Sequence, residues 1–143
     1  MEIHPIIQGY IDGNEFGRTF GMDFSVLSPG VVEYEMHISE KHLATPAAAH
    51  GGVIAAFVDA VLGVGALSKS CEFNNIVSTV EFKISYFNPA LKGDTLIGRS
   101  KLLKAGKSII FMEATIVNQN DIVIAKASGT FNQYPVHKIL KDF

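Results

Sequence analysis

The 143 residues contain no tryptophan, one cysteine (Cys71) and five prolines, and only 18% of them are charged. A single thiol can close no intramolecular disulfide and build no cysteine-based metal site, which points to a reducing, cytoplasmic setting. A surplus of basic residues is also lacking. Lys and Arg number 12 against 14 Asp and Glu, a net charge of −2, and this balance argues against nucleic acid as a partner. Residues 1–13 hold no basic segment followed by an apolar run, so no secretory signal is expected. The longest apolar run, Val53–Leu67, is broken by Asp59 and falls short of the roughly 18 residues of a spanning helix, so no membrane partner is expected. There is no G-x-x-x-x-G-K-[ST] loop, no dinucleotide fingerprint and no H-E-x-x-H. The five histidines show no ligand spacing, and neither a metal nor a redox cofactor is called for.

What the chain has in quantity is apolar residues, 48% of the total. That excludes disorder and suits one domain over 1–143. So apolar and charge-poor a surface also suggests that part of it is hidden in an oligomer. The patterning is mostly of period two. Phe24–Leu27 leads into a Ser28-Pro29-Gly30 turn, and in Val31–Ile38 the residues Val32, Tyr34, Met36 and Ile38 share one face. Further strands are expected at Ile76–Phe87, Thr95–Leu103, Ser108–Val117 and Ile122–Phe131. In Ile76–Phe87 strict alternation puts Val77, Thr79 and Glu81 on the polar face. Residues 1–19 suggest a short helix and turns. The one helix of any length is Val53–Ser68, which the antiparallel strands should wrap. The fold class is therefore α+β, with a curved antiparallel sheet of five to six strands around one long central helix.

Asp59 is the only charged residue between Leu43 and Ser68. Its helical neighbours three and four residues away are Ala55, Ala56, Leu62 and Gly63, and none carries a side-chain donor. A charged, unpartnered carboxylate on a buried apolar helix costs several kcal/mol. Either a donor arrives from another strand or the conflict marks a functional site. At the helix start, His50-Gly51-Gly52 offers unpaired backbone N–H groups at the positive end of the helix dipole, approachable because glycine has no side chain. Such groups can stabilise a carbonyl oxygen that becomes an oxyanion. Eight residues separate Gly51 from Asp59, about 12 Å along a helix axis. One site can use both only if a second subunit brings its own Gly51 to Asp59.

HGGVIAAFVDAVLGVGAL, with TVEFKISYFNPALKGDTL after it, resembles the hotdog-fold acyl-CoA thioesterases of the phenylacetic-acid-degradation (PaaI-like) type. The resemblance rests on His-Gly-Gly with a carboxylate nine residues after the His, and it covers roughly residues 20–131. It implies a hotdog fold, an acyl-CoA substrate that brings its own coenzyme A, and a dimer or a dimer of dimers with sites between subunits. It implies Gly51 as oxyanion donor, Asp59 as general base or nucleophile, His50 as a group positioning the thioester, and Thr79 as the hydroxyl that orients water. Gly52 belongs with the same turn. Lys104, Gly106 and Lys107 in the LLKAGKS turn are the candidates for the phosphate-rich end of coenzyme A. Two positions depart from the pattern. Ala44 stands where relatives carry Asn and Ala47 where they carry Gly, so His42 or Thr45 would have to substitute for the missing amide. Phe57, Val58, Leu62 and Phe82 are candidate pocket residues. Other readings stay open here: a hotdog enoyl-thioester hydratase or dehydratase, although its Asp-x-Asn-x-x-His pattern is missing, and a non-catalytic acyl-CoA binding module.

Overall fold

In the computed structural model, which describes residues 2–138, two short helices, α1 (Pro5–Gly13) and α2 (Glu15–Phe20), precede the sheet. The first strands are β1 (Met22–Ser28) and β2 (Val31–His37), followed by helix α3 (Gly51–Ser70). Then come β3 (Asn75–Tyr86), β4 (Thr95–Ala105), β5 (Ile109–Val117) and β6 (Val123–Pro135). The six strands form one sheet in the order β1-β2-β4-β5-β6-β3, with every neighbouring pair antiparallel. β3 crosses over to lie outside β6 and so forms one edge of the sheet. The expected hotdog arrangement, a curved sheet around one long helix, is what the chain adopts. The N-terminal segment differs from expectation: it forms two helices, joined at Asn14, which caps the second by accepting the Gly17 N–H at 3.0 Å.

The core lies between α3 and the sheet. Val32, Tyr34, Met36 and Ile38 are completely buried, as their alternation requires. α3 presents Phe57, Val58, Val61 and Leu62 to them. By length and composition α3 with its following turn would pass for a membrane span; here it is the sheet that buries it. Two glycines set how closely helix and sheet approach. A Cβ on Gly98 of β4 would stand 2.6 Å from Val61 Cγ2, and one on Gly65 of α3 would stand 2.6 Å from Ser100 Oγ. Two serine hydroxyls buried there bridge to the backbone of the β1–β2 turn and β2. Ser100 accepts the Val32 N–H and donates to the Gly30 carbonyl, each at 2.9 Å, while Ser68 accepts the Gly30 N–H at 2.9 Å. Phe57 sits at the centre, edge-on to Tyr34 at 5.9 Å between ring centroids. Phe57→Ala should cost about 3–5 kcal/mol of unfolding free energy, read from a urea titration; a loss below about 1 kcal/mol would mean that the site is not tightly packed.

The face assignment of β3 needs correction. Thr79 pairs with Phe131 and Glu81 with Thr130, which leaves Val80 as the extra residue of a bulge. A bulge puts two residues opposite one and reverses the alternation beyond it. Thr79 before the bulge and Phe82 and Ile84 after it therefore face α3, and Thr79 is not on the outer polar face.

Candidate active site

The sequence around residue 50 builds a helix start with one amide left open. His50 is the N-cap of α3, with φ −65° and ψ 135°. Its Nδ1 accepts the Gly52 N–H at 2.8 Å, so the proton of the neutral ring sits on Nε2 and that nitrogen stays free to donate. Gly51 is the first helical residue, and its N–H has no acceptor among the described residues. A Cβ there would meet nothing nearer than the Tyr86 hydroxyl at 3.7 Å. Tyr86 donates its hydroxyl to the Gly51 carbonyl at 2.7 Å, and partial burial pushes its phenol above the ordinary value. The sequence pattern marks Tyr86 only as one more residue of an alternating strand; its role at the helix start depends on where the end of β3 falls. The approach loop is held by backbone bonds from Ala49 to Ala90 and from Lys92 to Ala47, each 2.8 Å, and from His50 to His42 at 2.7 Å.

Asp59, half-buried in the middle of α3, has a donor from another element: Thr79 Oγ1 donates to its Oδ1 at 2.9 Å. The bulge at Val80 makes that contact possible, and the pair lines a cavity of about 590 Å³. The helix face that forms the pocket differs from the one expected. Phe57, Val58 and Leu62 are buried against the sheet, and the cavity is lined by Ala56, Ala60 and Gly63 on the face that carries Asp59. These small side chains leave the space that the expected Phe and Leu would have filled.

The structure does not bring Gly51 and Asp59 into one cavity. Gly51 lines a separate hollow of about 270 Å³ with Tyr86, Phe87 and Asn88. Gly106 and Lys107 line a third, of about 570 Å³, with Lys69 and Phe73 at the far end of α3. Lys104 pairs with Phe111 past a bulge in β4 and is not part of that wall. Both proposed substitutes for the missing amide are held in local hydrogen bonds. His42 is buried, accepts the Ser39 N–H on Nδ1 at 3.0 Å and meets the Phe20 carbonyl with Nε2 at 2.8 Å. Thr45 spends its hydroxyl on the Ala47 and Ala48 N–H groups, at 3.3 and 3.0 Å. Gly52 offers its N–H to His50 and not outward.

This geometry can be set beside known proteins. The family model described as "Thioesterase superfamily" matches residues 47–125, the stretch running from the loop before His50 into β6. Human acyl-coenzyme A thioesterase 13 is 26% identical over 120 residues, 83% of this chain and 84% of that protein. Protein PA5202 of Pseudomonas aeruginosa is 28% identical with a TM-score of 0.76, covering 84% of this chain and 94% of that one. The E. coli PaaI protein from the phenylacetic acid degradation operon superposes with a TM-score of 0.83 over 90% of this chain and 91% of its own; at 19% identity that likeness is one of fold.

Proposed function

The chain belongs to the thioesterase superfamily, and we propose that the thioester it hydrolyses is that of an acyl-coenzyme A, in a site shared by two subunits. The observation that carries this reading is the Thr79–Asp59 hydrogen bond, 2.9 Å long, at the wall of a largely apolar cavity. Thr79 holds one carboxylate oxygen and leaves the other for chemistry. As general base, Asp59 takes a proton from water, the hydroxide adds to the thioester carbon, the C–S bond breaks, and the proton passes to the departing thiolate. As nucleophile, Asp59 adds to the same carbon, the C–S bond breaks and the thiolate leaves, and water hydrolyses the resulting mixed anhydride to the free acid and the restored carboxylate, a proton from that water passing to the thiolate. In either route negative charge develops on the carbonyl oxygen and needs a donor, which the Gly51 N–H of the facing subunit supplies. In this scheme His50 Nε2 holds the thioester beside it.

The need for a second subunit is a matter of distance. Gly51 and Asp59 lie about 12 Å apart along α3 and line different cavities. β3 is twelve residues long and sits at a sheet edge with Val80 58% exposed. A long open edge is a template for a further strand, and a second copy seated there would bring its helix start toward this Asp59. A pair of such dimers would fit the same scheme. A lone buried thiol suits a cytoplasmic setting.

The test is release of free thiol from a panel of short-chain, medium-chain and aryl acyl-CoAs; no release from any of them would sink the reading. For the phosphate end of the substrate we assign Lys107 and Gly106, with Lys104 on the adjoining strand. Lys107→Ala should raise KM about two- to five-fold with kcat unchanged, and the difference should shrink at high salt. A change in kcat alone would place Lys107 elsewhere in the reaction.

A further inference from the structure

The family match begins at residue 47, yet part of the Asp59 cavity is built from residues well before it. Tyr10 of α1, Asn14 between the helices and Phe16 of α2 line that cavity together with Asp59 and Thr79. This corner is a fixed element. Ile6 and Ile7 of α1 are buried with Leu67, Cys71 and Ile76. Arg18 closes the corner by donating to the carbonyls of Ile11 at 2.8 Å and Asp12 at 3.0 Å. The rings are set by packing, Tyr10 on Phe24 at 6.0 Å and Phe16 on Phe20 at 4.7 Å between centroids. Phe16 nevertheless stays 54% exposed, so its ring stands at the opening.

What enters this cavity follows from its lining. Among the described residues no Lys or Arg lines the cavity, so these walls suit an uncharged group better than a phosphate. Beside Asp59, α3 lines the cavity with Ala56, Ala60 and Gly63 and, toward its end, Val64 and Leu67, and β6 adds Phe131. An apolar group of moderate size fits a space of about 590 Å³. We propose that the α1–α2 corner is the acyl-selecting wall of the site, in which Phe16 and Tyr10 set the length and bulk of the acyl group accepted beside Asp59. This rests on the acyl-CoA reading above and goes beyond it in assigning selectivity to residues outside the family-matched stretch.

The experiment compares wild type with Phe16→Ala and, as the milder change, Phe16→Leu. Two measurements are made: kcat/KM for hexanoyl-, decanoyl- and phenylacetyl-CoA, and calorimetric affinities for S-hexyl-CoA, S-decyl-CoA and free CoA. The thioethers cannot be hydrolysed, so they report binding whatever the chemistry. Phe16→Ala should raise the decanoyl-to-hexanoyl ratio of kcat/KM about ten-fold or more, with a matching shift in the thioether affinities and no change for free CoA. Phe16→Leu should move the ratios the same way by less. Unmoved ratios would overturn the proposal. So would a loss of free-CoA affinity at constant ratios, because the corner would then touch the coenzyme arm. If wild type binds neither the thioethers nor CoA, the acyl-CoA reading itself fails and the selectivity wall falls with it.

Discussion

Asp59→Asn is expected to lower kcat for acyl-CoA hydrolysis about 10²- to 10⁴-fold, the range a positioned general base contributes, with KM little changed. The substitution is close to isosteric. The asparagine would keep a side-chain oxygen to accept from Thr79, whose hydroxyl now donates to Asp59 Oδ1 at 2.9 Å. The cavity should hold its shape, and half-burial of the position means that removing a charge should leave the melting temperature level or raise it. What is lost is the ability to take a proton from water or to attack the carbonyl. Thiol-release kinetics beside a thermal melt separate the two effects. A folded variant retaining more than about a tenth of wild-type kcat would remove Asp59 from the chemistry. Thr79→Val should cost less, because it leaves the carboxylate in place and removes only the bond that orients it.

Asp59 could be read from the sequence because it breaks a pattern: one carboxylate among Ala, Leu, Val and Gly has no local partner, and the conflict is visible without coordinates. The strands were legible for a similar reason. Val32, Tyr34, Met36 and Ile38 alternate strictly, and all four are completely buried. Alternation fails where the backbone changes register. The bulge at Val80 leaves no mark in residue type, so Thr79 read as an outward residue when it in fact reaches Asp59. The pocket face of α3 was misread because large apolar residues look like pocket walls. Phe57, Val58 and Leu62 are better used against the sheet, and space for a ligand comes from where the helix carries Ala and Gly. The α1–α2 corner is legible only as a short helix and turns, for a different reason. Its helices are nine and six residues long, below the length at which periodicity is distinctive, and they depend on burial of Ile6 and Ile7 and on the Arg18 contacts to the α1 carbonyls.

Gly51→Pro offers the sharper test of the oxyanion donor, because proline removes an N–H and can leave this backbone undisturbed. Gly51 is the first residue of α3, the position at which proline is favoured in helices. The preceding residue, His50, already has φ −65° and ψ 135°, the extended region that a following proline demands. A Cβ at 51 meets the Tyr86 hydroxyl only at ordinary contact distance. The Gly52 bond to His50 and the Tyr86 bond to the Gly51 carbonyl use other atoms and should survive. The variant should therefore fold as wild type and lose about 10²- to 10³-fold in kcat, the cost of one oxyanion donor. Mixing it with Asp59→Asn then asks which chains share a site. If Gly51 of one subunit faces Asp59 of the other, a heterodimer of the two dead variants holds one site with both groups intact. Random exchange makes half the dimers mixed, so about a quarter of wild-type activity should return. If both groups serve the same chain's site, every site keeps one defect and nothing returns. Recovery on mixing would thus establish the shared site, and its absence, with exchange verified by mass, would confine the chemistry to a single chain.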